Sequence, residues 1–132
     1  MRAWATASAA VMMVSVLGTA GARAQPYSGS GDYQLYCVSC HGTEGRGDGL
    51  IAKSLKKRPA DLTLIAQRNG GAFPDDKIFK AIDGRQPGNA HSATDMPAWG
   101  EVLAKSSGSV GAENTAARID ALVKYLQTLQ AK

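Results

Sequence analysis

Cys37-Val38-Ser39-Cys40-His41 decides how this chain is read. Two thiols one helical turn apart can add to the two vinyl groups of a single haem, and the next residue then carries an imidazole beneath the iron. The spacing is that of covalent haem c attachment, with His41 as the proximal iron ligand. Cys-x-x-Cys also serves thiol-disulfide exchange. That chemistry sits on a βαβ pattern, however, and no segment here alternates with the period of a strand. A zinc site wants four ligands, whereas residues 25–132 hold two Cys, two His and no second closely spaced pair.

An iron carried by one histidine has a second axial position. Met1, Met12 and Met13 lie in a leader-like N-terminus, so Met96 is the one methionine left to the rest of the chain. Pro97 stiffens the backbone that would present its sulfur. A thioether opposite imidazole favours ferrous iron and a raised potential, as electron carriers need. His91 is the competing ligand and would give a bis-histidine site of lower potential. Met96 as a core gap-filler is the plain structural alternative.

Arg2 followed by an apolar stretch from Ala9 to Leu17, then Ala22-Arg23-Ala24, reads as a secretory signal peptide over residues 1–24. Cleavage would leave one domain, 25–132, beginning at Gln25, and would place it in the periplasm, where haem attachment of this kind occurs. The competing reading is a retained anchor, since residues 3–22 carry no charge and are just long enough to span a bilayer. Most of that run is Ala, Gly, Ser and Thr, which favours the cleaved leader. Nothing after it is long or apolar enough to cross a membrane. Losing Arg2 and Arg23 takes the 15 basic residues to 13 against 11 acidic, a net +2 instead of +4. A nucleic-acid binder should keep its basic stripe through processing, so that class is set aside.

The chain's 15 Gly and few aromatics predict a modest core with many loops, a domain to which a bound cofactor would add stability. Helix signals fall at about Ser30–Cys40, with Asp32 in the first turn; from Pro74 to Gly84, with Ile78, Phe79 and Ile82 inward; and from Asn114 or Thr115 to the C-terminus, where Ile119, Leu122, Val123, Leu126 and Leu129 recur at helical spacing. A shorter helix is expected around Asp61–Gln67. The fold class is all-α, with three to five helices wrapped around one haem. Leu62, Leu64, Ile65, Phe73, Ile78, Phe79, Ile82 and Leu103 are expected in the pocket or the core; sequence does not separate the two roles.

Residues 27–132 resemble the class I monohaem cytochromes c, and the stretches His41–Gly49 and Met96–Gly100 are similar to the bacterial branch. Gly29 and Tyr33 match that family's first-helix glycine and aromatic, and Leu122 and Tyr125 match their partners on the last helix. The resemblance implies a carrier passing single electrons between redox proteins such as a dehydrogenase, a cytochrome complex or a terminal oxidase. It also implies a proline carbonyl behind the proximal histidine, for which Pro59 is the candidate. Arg85, Trp99 and His91 are the nominated donors to the haem propionates. Lys53, Lys56, Lys57 and Arg58 form the one dense basic run, a solvated face or a dock for an acidic partner. A subunit of a larger dehydrogenase or oxidase complex, a haem enzyme or gas sensor, and a haem-free thiol oxidoreductase remain as alternatives.

Overall fold

The structure, a computed structural model, describes residues 27–85, 96–106 and 111–131. Residues 1–24, expected to be a leader, and His91 lie outside the described residues. Described residues form six α-helices and no strand: α1 (Gly29–Tyr36), α2 (Val38–His41), α3 (Ile65–Arg68), α4 (Asp75–Asp83), α5 (Trp99–Ser106) and α6 (Gly111–Thr128), with 3₁₀ turns at Ala52–Ser54 and Leu62–Leu64. The count exceeds the expected three to five because α2 and α3 are single turns of four residues. No helix among the described residues is long and apolar enough to cross a membrane.

The apolar periodicity of α6 makes it the floor of the molecule. Ile119, Leu122, Val123 and Leu126 are all buried, and α1, α4 and α5 each pack against this helix. Helix α1 opens on Ser28, whose hydroxyl accepts from the Gly31 N–H at 3.2 Å, an N-cap that satisfies an otherwise orphan donor. Gly29 then meets the α6 backbone directly: a Cβ there would collide with the Ala121 carbonyl and lie 3.1 Å from the Leu122 nitrogen. One turn on, Tyr33 is fully buried, its ring 5.2 Å from that of Tyr125 and tilted by 53°. The glycine–aromatic crossing implied by the resemblance is therefore present.

Expected as one helix to Cys40, the N-terminal segment is two. Cys37, at φ −112°, separates α1 from α2 while its N–H still reaches the Tyr33 carbonyl at 2.9 Å. Helix α4 ends as anticipated at Gly84, which turns left-handed at φ 65°; Pro74 serves as its cap residue and not as the first helical one. Helix α6 starts at Gly111, ahead of the expected Asn114. Helix α5 has no counterpart among the sequence-based expectations. It buries Leu103 between α4 and α6 and is short, with Glu101 in its first turn and Lys105 in its last.

Candidate haem site

Helix α2 brings the motif to one wall of an internal cavity. Cys37, Cys40 and His41 all line it, and both cysteines are half-buried and free. Beyond His41 the chain doubles back over the end of the helix. Gly47 N–H donates to the His41 carbonyl at 2.8 Å, Gly49 N–H to Cys40 at 3.1 Å, and Ile51 N–H to Ser39 at 3.0 Å. These three donors satisfy carbonyls that a helix end otherwise leaves open. Gly47 needs its missing side chain twice, because φ is 72° and a Cβ would strike the Pro59 carbonyl. That close approach brings residues 59 and 60 alongside the histidine.

His41 Nδ1 lies 3.0 Å from the Ala60 carbonyl. A carbonyl only accepts, so Nδ1 carries the hydrogen and Nε2 keeps the free lone pair that a metal needs. Pro59 was expected in this place. Its carbonyl lies against Gly47 instead, and the acceptor is one residue later; Pro59 itself lines the cavity. His41 is 9% exposed, and burial lowers its pKa against the opposing pull of the Ala60 carbonyl. The ring is thus held neutral, the form that coordinates a metal.

The cavity, about 380 Å³, is walled mainly by apolar side chains. Leu62 and Ile65 line it from the middle of the chain, Ile78 and Ile82 from α4, and Leu122 and Leu126 from α6. Met96 and Trp99 line it as well. A flat apolar macrocycle suits such walls. Two free thiols and a neutral imidazole on one helical turn suit its covalent attachment, so the residues present fit a haem.

Of the residues expected in pocket or core, Leu62, Ile78 and Ile82 serve both. Leu103 belongs to the core, with Phe73 and Phe79 packed against it, and Leu64 is half-buried in neither set. Arg85 is the expected donor to the propionates. It is not among the described residues that line the cavity, and its guanidinium is held by Asp83, with Nε donating at 2.8 Å and Nη2 at 2.6 Å. Lys57 and Arg58 stand at the cavity instead, both exposed to solvent. The basic run had pointed to a surface, and nothing in its spacing marks those two as cavity residues. Tyr36 was also missed; it lines the cavity with its ring 5.4 Å from Trp99.

Thiol exchange fits poorly. Burial, helped by Asp32 and Cys40, pushes the Cys37 thiol up to about 12, whereas redox-active cysteines are activated by a lowered pKa. Among the described residues no cluster of three or more His, Cys, Asp or Glu is suited to a metal ion.

An all-helical chain that closes an apolar cavity over a Cys-x-x-Cys-His turn defines a covalent haem protein. The sequence matches the family described as Cytochrome c over residues 28–130, and the chain belongs to that family. It is therefore a c-type cytochrome, an electron-transfer protein with haem c attached covalently, and Cys37 and Cys40 fit the attachment motif. No curated protein matches the chain. A chain of the Kuenenia stuttgartiensis reducing HAO-like protein complex is similar at 25% sequence identity, with a TM-score of 0.47, over 78% of this chain and 44% of that one.

Proposed function

We propose that the protein is an exported, periplasmic electron carrier whose haem iron is held between His41 and Met96. The observation that carries this reading is that Met96, the one methionine beyond the leader, lines the same cavity as His41. When bound, the haem supplies the one-electron change between ferric and ferrous iron. The chain's own residues do the rest. Cys37 and Cys40 would hold the haem, each thiol adding its sulfur and hydrogen across one vinyl group. Ala60 orients His41 through Nδ1, leaving Nε2 for the metal. The leucines and isoleucines of the cavity exclude water, which limits solvent reorganisation around the changing charge. Lys57 and Arg58, at the edge of the cavity, are the cations available to the propionates, the role expected of Arg85.

Held between His41 and Met96, the iron would have no vacancy for peroxide, oxygen or carbon monoxide, so the reading is of a carrier and not a haem enzyme or gas sensor. Its partners would be larger redox proteins. Membership of a standing complex is the second reading. It is favoured by the adjacent Leu50 and Ile51, 95% and 41% exposed, and by Leu35 on α1 at 76%. Apolar groups in such positions can mark an interface.

Carbon monoxide tests the axial assignment. The unmutated ferrous protein should bind it poorly near neutral pH and Met96→Ala should bind it readily, while the sulfur-to-iron charge-transfer band of the ferric form should vanish in the variant. Rapid, complete adduct formation by the unmutated protein would refute the carrier. Intact mass under denaturing conditions tests processing, with one covalent haem and a chain starting at Gln25 as the expected result.

A further inference from the structure

Asp32 on α1 and Arg118 on α6 are 7% and 6% exposed. Arg118 Nε donates to Asp32 Oδ2 at 2.9 Å and Nη2 to Oδ1 at 2.6 Å. Nη1 turns to α5, donating to Ser106 Oγ at 2.9 Å. One guanidinium therefore ties three helices together, and its plane is fixed by the fork on the carboxylate. The face of that plane is also used. Its central carbon lies 5.5 Å from the centre of the Tyr27 ring and 5.7 Å from that of Tyr36. Tyr36 packs on Trp99, both rings line the haem cavity, and Trp99 stands three residues after Met96 at the start of α5.

Stability alone does not account for such a pair. A buried ion pair is often matched or bettered by apolar residues of similar volume, because desolvation offsets the attraction. What apolar residues cannot do is aim a neighbour through a planar fork. We propose that the Asp32–Arg118 pair is a positioning device for the distal wall of the haem cavity: the guanidinium fixes Tyr36, Tyr36 fixes Trp99, and Trp99 holds the segment that presents Met96. This rests on Met96 as the axial ligand.

Imidazole binding to the ferric holoprotein reads the effect directly, because imidazole must displace Met96 to reach the iron. Arg118→Lys keeps the charge and loses the fork. It should bind imidazole about tenfold more tightly, within the usual range of coupling between linked sites. Asp32→Leu combined with Arg118→Met removes both charges, so no lone ion is left buried, and it should show the same rise at an unchanged or higher Tm. Ile119→Val loosens α6 away from the cavity lining and should stay within about twofold. Unchanged imidazole affinity in either pair variant, or an equal rise in Ile119→Val, overturns the proposal. A charge-transfer band missing from the unmutated protein overturns the axial reading and this inference with it; a band present in every variant at unchanged affinity overturns this inference alone.

Discussion

Gly29→Ala and Gly31→Ala are the same chemical change two residues apart on one helix, and they should move stability in opposite directions. At Gly29 the new methyl has no room. The atoms it meets are the carbonyl of Ala121 and the nitrogen of Leu122, which are backbone and cannot swing aside. To admit it, α1 and α6 must part by about 1 Å, and a gap of that size forfeits roughly a quarter to a half of each close contact across the crossing. The contacts affected include Tyr33, Leu122 and Leu126, all buried. Overpacking of this kind costs about 3 kcal/mol at the upper end of its usual range. The better helix propensity of alanine returns about 1 kcal/mol, leaving a net loss of about 2 kcal/mol. For a domain of this size that lowers Tm by roughly 8–16 °C. At Gly31 the nearest atoms are Ser28 Cβ at 3.5 Å and its hydroxyl at 3.7 Å, ordinary contacts. The backbone N–H that Ser28 caps is retained, so the variant should gain about 0.5–1 kcal/mol. Thermal unfolding followed by circular dichroism on the two holoproteins measures both. A Gly29→Ala protein as stable as its parent, or two shifts of the same sign, would refute the account of the crossing.

Tyr33→Phe removes the hydroxyl that donates to the buried Gly42 carbonyl at 2.6 Å; a loss of about 1–2 kcal/mol is expected in denaturant unfolding, since the acceptor is left without its partner. Asp61 accepts from the Thr63 hydroxyl at 2.6 Å and from its N–H at 2.9 Å, and the hydroxyl bond is the first cause holding its carboxyl below the ordinary aspartate range. Its folded pKa is thus under its unfolded one, so its contribution is present at neutral pH and is lost as pH falls below about 4. Asp61→Asn should flatten that part of the acid limb when Tm is followed from roughly pH 6 to roughly pH 2.

Much of this architecture could be read from residue order. The haem motif, the α4 stop at Gly84 and the apolar stripe of α6 are local patterns, and each lies where its periodicity or turn chemistry puts it. The features that escaped are short or non-local. Helix α5 spans eight residues, and Trp99, Val102 and Leu103 are too few to establish a period; Pro97 just ahead of Glu101 was the available signal. The acceptor behind His41 differs from expectation by one residue because it is set by how Gly47 crowds Pro59, a contact between loops. Arg118 gave no sign of its role, for its partner Asp32 is 86 positions away. Nor does sequence show that Arg85 pairs with Asp83, two residues earlier.

The meeting of Gly29 with Ala121 also orders events in time. The two halves of that crossing lie about ninety residues apart, so the loop they close is nearly the whole domain, and such a contact is late because its entropy must be met before it returns anything. Until the residues around Ala121 dock, Tyr33 lacks its contact with Tyr125, while the turn from Cys37 to His41 needs only hydrogen bonds within a few residues. The turn that carries the thiols can therefore form while the crossing is still open, and α6 completes the cavity around them only when it docks on α1.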